Sequence, residues 1–279
     1  MDVEERKGAA SVEFKAFNFA EDSTNKIHDD KVARQYGFSG GLVPGIAVFA
    51  YMSHPVVAKW ARGWFDRGFI RATFIKPIYA GERVRVKSEA VGEGGDELEI
   101  QVTNHDGLLC AVGLARLSGG ARNAPLSADY PKRELPPAEL RLTPSVEHLG
   151  PAGTLGSVTF CETGADAENR ARQDYLDNLG IYSGPGAPYH PAYLLAQANQ
   201  ILMRNVDLGP WIHVKSELDT FAVPKAGEKL DIRGRIVRSF QKKGHDMVDL
   251  DLAVFDAGNH AVAAIKHTAI VRLRQAEGE

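Results

Sequence analysis

The residues from Asn25 to Gly45 read NKIHDDKVARQYGFSGGLVPG, and the rest of the chain is organised around them. His28 stands shortly before a glycine-rich turn, which runs through Pro44 into a long apolar segment that begins at Gly45. An imidazole on a loop can move a proton near neutral pH, and the free N–H groups at a helix start can polarise a carbonyl oxygen. The stretch therefore predicts half of an active site for chemistry beside a carbonyl group.

The composition is that of an ordinary globular protein. The chain has 279 residues, 44% of them hydrophobic and 25% charged, which fits two domains or one unit built twice. The net charge of −3 is spread without long runs of one sign, so no nucleic-acid surface and no polybasic membrane patch is predicted. Chemistry on a small molecule is the expected class of function.

Cysteine usage and the N-terminal residues bear on the compartment. Cys110 and Cys161 lie far apart without CxxC or Cys/His clustering, which argues against a disulfide framework and a structural zinc site. The start MDVEERKGAA is acidic where a secretory signal needs a basic start and an apolar core, and no run of 18 apolar residues occurs. We expect a cytoplasmic, soluble protein.

The pattern after the opening stretch is one helix followed by strands. The run Gly45 to Trp60 is apolar nearly all round, as in a helix buried on most sides, and Pro55 is expected to kink or divide it. Asp29 or Asp30 is expected to cap a short helix just before. Beta-rich runs broken by turns then predict an antiparallel meander, with the turns at 80–82, 93–96 and 104–107.

The second half repeats the plan of the first. FIKPIYAGERVRV, from Phe74, matches TFAVPKAGEKLDI, from Thr220, and YHPAYLLAQANQILMRNV, from Tyr189, takes the place of the first buried helix. Two copies of helix plus meander predict two similar subdomains that share one continuous sheet. We place an N-terminal unit at 1–120, a linker rich in proline and glycine at 121–144 and a C-terminal unit at 145–279.

With the repeat established, the opening stretch resembles the MaoC-like or hydratase-2 motif, which has the form DxNPxH followed by a glycine-rich turn and a helix. The resemblance implies an α+β double hot-dog fold, two tandem units in which an antiparallel sheet wraps a long buried helix. It also implies an (R)-specific hydratase or dehydratase acting on an enoyl-CoA or 3-hydroxyacyl thioester, with no metal or redox cofactor. The matching positions are Asn25, Ile27, His28, Ala33, Gly37 and Gly45.

The resemblance also implies roles for single residues. In that family an aspartate and the motif histidine hold a water molecule and exchange protons with the α-carbon and the β-hydroxyl, while a helix N-terminus binds the thioester oxygen. Here His28 is the implied catalytic histidine, Asn25 the motif asparagine and the Gly45 N–H the oxyanion donor. Gly41 and Val43, on the turn between them, are expected to contact the substrate.

One position departs from the family pattern. Ser23 stands five residues before His28, where the family has its aspartate, and Asp22 is one residue away. Addition of water needs one group for the proton of the water and another for the proton at the α-carbon. The second group must then come from Asp22 after a local shift, from Asp29 or Asp30, or from the other half.

The second half offers further candidates for the site. Aligning GIY with KIH puts Tyr182 opposite His28 and Asp177 opposite Ser23. We hypothesise that the second half is a degenerate copy, which has lost the histidine and mainly shapes the acyl pocket. His190, at the start of the second long helix, either faces a ligand or is a polar residue satisfied at a helix start. Asp177, Tyr182 and His190 are thus candidate substrate-binding residues.

The remaining histidines and Trp211 have structural interpretations. His54 lies inside the first apolar run, where a hydrogen-bonded core histidine is expected. Trp211 is read as a packing residue at the start of the first strand of the second meander. Four further histidines show no metal-ligand spacing and are interpreted as strand or loop residues, namely His213, His245, His260 and His267.

Two other functions stay open. A thioesterase on the same fold would want a carboxylate on or near the buried helix, and 46–60 contains none. A non-catalytic acyl-binding or small-ligand-binding protein is the second alternative, and a pocket lined by His28 without a carboxylate in reach would favour it. The acyl group, the direction of reaction, coenzyme A or acyl carrier protein as carrier, and a monomer or a homodimer are all compatible with the sequence.

Overall fold

A computed structural model describes residues 9–92, 94–120, 122–150 and 153–274. In the first half, three helices follow the first strand and precede four further strands, of which the last three form a meander and the first pairs with the last. The strands are β1 (Ala9–Lys15), β2 (Gly68–Phe74), β3 (Arg83–Val91), β4 (Glu97–Thr103) and β5 (Leu109–Leu117), and the helices are α1 (Asp30–Gln35), α2 (Gly45–Trp60) and α3 (Arg62–Arg67).

The second half also runs from one strand through helices to four strands, but it has two helices where the first half has three. Between the halves, the described residues of 118–157 form only short 3₁₀ turns, at Ser127–Asp129 and Ala138–Leu140. The strands are β6 (Val158–Phe160), β7 (Ile212–Thr220), β8 (Leu230–Lys242), β9 (His245–Phe255) and β10 (Ala261–Arg272), and the helices are α4 (Gly164–Gln173) and α5 (Pro191–Asn205).

All ten strands belong to one antiparallel sheet with the order β1-β3-β4-β5-β2-β7-β10-β9-β8-β6. The order reads symmetrically about its centre, where β2 pairs with β7 from Phe69 opposite Asp219 to Thr73 opposite Lys215. The two meanders are thus joined by main-chain hydrogen bonds into a single layer. The predicted continuous sheet is confirmed.

The repeat is present in the backbone with the spacing that the sequence indicated. The Val43 N–H donates to the Ile78 carbonyl at 2.9 Å, and 146 residues later the Tyr189 N–H donates to the Pro224 carbonyl at 2.6 Å. This equivalence puts the first residue of α2, Gly45, opposite the first residue of α5, Pro191. The two helix starts can therefore be compared directly.

Helices α2 and α5 pack against each other and against the sheet. Ten of the 16 residues of α2 are buried, and Phe49 and Tyr51 are fully so, as predicted for a helix covered on most sides. Burying one such large apolar side chain stabilises the fold by about 1.5–3 kcal/mol. Pro55 does not divide the helix, because its neighbours hold the helical conformation as far as Trp60.

Among the described helices, none combines the length and the apolar character that crossing a membrane requires.

Candidate active site

The loop that carries His28 is held by two caps. Asn25 caps a single 3₁₀ turn, Lys26–His28, and the Asp29 carboxylate accepts from the Val32 N–H at 2.9 Å at the start of α1, as predicted. A small apolar cluster anchors the same loop, because Ile27 is buried in it together with Leu42 and Leu273. His28 therefore projects from a fixed backbone.

Gly41, in the turn that follows, must be a glycine because the chain passes close to the His28 backbone there. A Cβ on Gly41 would lie 2.1 Å from the carbonyl oxygen of His28, so no other residue fits there without moving the chain. The Gly41 N–H donates to Asp30 Oδ1 at 2.7 Å, and the same carboxylate pairs with Arg34 at 3.1 Å. Gly41 and Asp30 thus shape the turn from outside the cavity described below.

The imidazole of His28 has a defined orientation. Its Nδ1 lies 2.7 Å from the Leu42 carbonyl, which only accepts, so Nδ1 carries the hydrogen and Nε2 is the basic nitrogen. Asn25 Nδ2 lies 3.4 Å from that Nε2. Burial lowers the pKa of His28 below the ordinary 6.5, although the contact with Leu42 acts in the opposite direction. The ring is therefore a neutral base at physiological pH.

Asn25 joins this loop to the second half of the chain. Its Nδ2 donates to the Trp211 carbonyl at 3.0 Å, and its Oδ1 accepts from the Trp211 N–H at 3.2 Å. The amide is thus paired in both directions with the backbone just before β7, which fixes its orientation. Asn25 consequently sets the position of His28 relative to the second half.

A cavity of about 370 Å³ lies between the two halves beside His28. The first half lines it with the motif loop and the start of α2, including Val43 and Gly45. The second half contributes Asn199 from α5 and the residues that open β7, and lysines stand among the remaining lining residues. Of the predicted site residues, the structure brings together Asn25, His28, Val43 and Gly45.

The start of α2 is open to a ligand. Pro44 precedes the helix and offers no side-chain cap, and the Gly45 N–H meets no acceptor among the residues that the structure describes. His213 fills the space in front of Gly45, with its Nδ1 3.0 Å from where a Gly45 Cβ would lie. The glycine is therefore required for this imidazole and the helix start to share the cavity wall.

Two polar lining residues were missed in the sequence. Asn199 Oδ1 and His213 Nδ1 are buried and find no partner among the described residues. Both come from the second half, about 170 residues or more along the chain from His28, so no local motif connects them. The one sequence signal was the imidazole of His213 on the inward face of the predicted strand WIHVKSE.

Carboxylates are absent from the described part of the cavity lining. The Ser23 hydroxyl donates to the Asn25 carbonyl at 3.3 Å, and Asp22 is exposed, so both lie outside the cavity. Asp29 and Asp30 are engaged in the cap and the turn. None of these groups takes the place of the aspartate of the MaoC-like motif in the cavity. In the described chain, moreover, no three His, Cys, Asp or Glu side chains are grouped as metal ligands.

The candidates from the second half form a separate buried cluster. Asp177 accepts from His54 Nδ1 at 2.9 Å and from His190 Nε2 at 3.2 Å. The Tyr182 ring packs on His190, 4.7 Å between centroids. Burial alone would raise the pKa of Asp177, but the hydrogen bonds from the two histidines outweigh it and hold that pKa well below its usual range. Asp177, Tyr182 and His190 lie outside the cavity.

This cluster closes the second helix start. His190 Nδ1 accepts from the Ala192 N–H at 3.0 Å, and Pro191 supplies no N–H at the first position of α5. Burial lowers the pKa of His190, although Asp177 acts in the opposite direction. The open start of α2 and the capped start of α5 are thus the main difference between the two halves.

Solved structures share this architecture over nearly the whole chain. A Mycobacterium tuberculosis protein, Rv0216, described as having a double hotdog fold, superposes with a TM-score of 0.60 at 14% identity, covering 93% of this chain and 96% of that one. This chain has the double hot-dog fold. The predicted fold class is confirmed.

Other solved structures similar to this chain differ in described activity. A candidate MaoC domain protein dehydratase from Chloroflexus aurantiacus superposes with a TM-score of 0.66 at 9% identity, covering 95% of this chain and 96% of that one. A candidate oleoyl thioesterase from Lactobacillus plantarum gives 0.53 at 9%, covering 96% and 98%. No family model and no curated protein matches the sequence. The fold alone does not choose between these reactions.

Proposed function

We propose that this double hot-dog protein is a hydratase or dehydratase, which adds water to a 2-enoyl thioester or removes it from a 3-hydroxyacyl thioester. The observation that carries the proposal is the pairing of an oriented neutral imidazole, His28, with the open N–H of Gly45 in one cavity. The similarity in fold to a MaoC domain dehydratase supports the same reaction.

The reaction follows from where the charges develop. In hydration, His28 Nε2 takes a proton from water while the water oxygen bonds to C3, and the electrons of the C2–C3 double bond move onto the thioester oxygen. The Gly45 N–H and the dipole of α2 stabilise this enolate. The imidazolium then returns its proton to C2. Dehydration runs through the same steps in reverse.

One imidazole can serve both steps, which accounts for a site without a carboxylate. His28 is the base for the water and, once protonated, the acid for C2, so the two proton transfers take place in sequence. Asn199 Oδ1, unpaired on the opposite wall, would accept the second hydrogen of the attacking water. Asn25 keeps His28 in register through its backbone contacts.

The rim of the cavity supports coenzyme A as the carrier. Lys76, Lys242 and Lys243 line the cavity, and the described part of its lining contains no acidic residue to neutralise them. Lysine ammonium groups are suited to phosphate oxygens. The diphosphate of a coenzyme A thioester would therefore meet positive charge while its acyl end lies beside His28.

Replacing His28 by alanine is expected to lower the hydration rate by about 10²–10⁴-fold, the usual contribution of a general base. The assay follows hydration of short, branched, dicarboxylic and aromatic trans-2-enoyl-CoA thioesters. His260→Ala, at an exposed hairpin position, is the matched control and is expected to keep the wild-type rate. A His28→Ala enzyme as fast as the control would rule out this mechanism.

The pH profile reports on the same ring. Since burial lowers the pKa of His28 and hydration needs its neutral form, kcat/KM is expected to rise with pH through a midpoint below 6.5 and to be level at neutral pH. The measurement is kcat/KM for the best thioester between pH 4.5 and 8. A midpoint above 6.5 would contradict the assigned environment.

Thioester binding without turnover is the second candidate, and the lack of a carboxylate in the described lining favours it. The two candidates differ in one experiment. Saturable binding of enoyl-CoA to the wild type, with neither hydration nor release of free thiol, would select the binding protein. Release of thiol would instead select a thioesterase.

A further inference from the structure

A chain of hydrogen bonds runs from the cavity into the sheet. His213 Nε2 lies 2.7 Å from Ser216 Oγ, and the same oxygen lies 2.9 Å from His267 Nδ1 on the neighbouring strand, β10. The two rings are 4.3 Å apart. His213 is more than nine-tenths buried, yet it belongs to the cavity wall, and its Nδ1 has no partner among the described residues.

Both rings of this chain are neutral. Burial, with His267 beside it, holds the pKa of His213 well below 6.5, and burial lowers the pKa of His267 to about 3. Each imidazole therefore carries a single N–H, and Ser216 has a single hydroxyl hydrogen to share between them. Two arrangements of these three hydrogens let Ser216 donate to one ring and accept from the other; a third, in which both rings donate to Ser216, leaves its buried hydroxyl hydrogen without an acceptor among the described residues.

The arrangements differ in what they leave unpaired. If Ser216 donates to His213 Nε2 and accepts from His267 Nδ1–H, then His213 carries its hydrogen on Nδ1, at the cavity. The unpaired atom in the interior is then only an acceptor, His267 Nε2. The reverse arrangement would bury an N–H at that atom without an acceptor. The first arrangement leaves its unpaired N–H at His213 Nδ1 instead, on the cavity wall, where a ligand can accept from it. Because a buried donor without an acceptor is costly, the first arrangement is favoured.

We propose that the His213 Nδ1–H is the second donor to the thioester oxygen, beside the Gly45 N–H, an assignment that rests on the function proposed above. Oxyanion sites place several fixed donors where negative charge develops. The close approach of His213 to the first residue of α2 puts its Nδ1 beside the Gly45 N–H, one of the donors that the helix start supplies. A neutral imidazole is a suitable donor, since it polarises a carbonyl without giving up its proton.

Ser216 and His267 are positioning residues in this proposal. Neither of them lines the cavity, and they act by keeping the hydrogen of His213 on Nδ1. They therefore determine the tautomer of the His213 ring. The second half thus contributes a catalytic group through a strand, β7, rather than through its own helix start.

Nitrogen-15 NMR of histidine-labelled protein tests the tautomer without relying on turnover. His213 is assigned by the signals that disappear in His213→Gln, and a protonated Nδ1 with an unprotonated Nε2 is expected. Butyryl-CoA, which has no double bond to hydrate, is expected to shift the Nδ1 signal, whereas free coenzyme A is not. Ser216→Ala is expected to reduce the Nδ1–H population. A hydrogen on Nε2, or no response to butyryl-CoA, would overturn the proposal.

Two isosteric variants then test the contribution to rate. The amide of His213→Asn falls near the position of Nδ1 and keeps a donor there, whereas that of His213→Gln falls near Nε2 and keeps only the Ser216 contact. With the enoyl-CoA that the wild type hydrates fastest, the glutamine variant is expected to lose about 10²–10³-fold in kcat with little change in KM. The asparagine variant should retain most of the wild-type kcat. Equal losses in both variants would overturn the assignment.

The outcomes separate this proposal from the function on which it rests. Hydration that depends on His28, without a response of His213 to butyryl-CoA, would leave the proposed function standing and remove His213 from it. A butyryl-CoA response without hydration would keep His213 as a thioester donor and replace the hydratase with a binding protein.

Discussion

Replacing Asp177 by alanine is expected to destabilise the protein by about 3–5 kcal/mol, the cost of removing one partner from a buried, hydrogen-bonded charge cluster. The carboxylate accepts three hydrogens, from His54 Nδ1, from His190 Nε2 and from the Leu179 N–H at 3.0 Å. Without it, His190 Nε2 remains in the interior with no acceptor, and the partly exposed His54 Nδ1 loses its partner. Urea unfolding of both proteins measures the difference.

Two further variants show whether the effect belongs to the cluster. Asp177→Asn keeps the shape but turns an N–H toward one of the three donors, so an intermediate loss is expected. Asp174→Asn is the control, because that carboxylate makes a half-exposed pair with Arg170 at 3.1 Å, a contact worth only about 0–1 kcal/mol. A loss from Asp177→Ala no larger than the control would show that the cluster does not stabilise the fold.

Lowering the pH from 7 to 5 is expected to lower the free energy of unfolding, by roughly 2 kcal/mol for a buried histidine that stays neutral over this range, as His267 does. His190, His213 and His267 all have pKa values below 6.5 because of burial. Below pH 6.5 the unfolded chain protonates these rings while the folded chain does not, so the unfolded state binds more protons. The free energy of unfolding therefore falls as the pH falls.

The measurement is the free energy of unfolding in urea at pH 7 and pH 5. His267→Asn keeps a group near Ser216 but cannot titrate, and it should reduce the pH-dependent loss by roughly 2 kcal/mol. A stability that is independent of pH over this range would show that these rings take up protons in the folded protein as readily as in the unfolded chain.

The sequence predicted the parts of the site that are local in the chain. Asn25, His28 and Gly45 lie within 21 residues, and their spacing alone indicated a histidine in front of a helix start. The repeated turn likewise placed two meanders in one sheet, since the hairpins depend on nearby residues.

The remaining features depend on distant contacts. Nothing near His54 indicates that Asp177, 123 residues later, accepts its hydrogen, and nothing near His28 indicates His213. The alignment of GIY with KIH was structurally sound, because both form single 3₁₀ turns, but it did not show that tyrosine and histidine rings fill the second site. Packing across the two halves decides these points.

The contact between Asn25 and Trp211 also bears on how the two halves can diverge. Asn25 binds only the backbone N–H and carbonyl of Trp211, and every amino acid except proline provides both groups. The link between the halves therefore places almost no demand on which side chain stands at that position. The second half can therefore change its side chain at position 211, and can lose catalytic residues of its own, while its backbone continues to hold Asn25 in place.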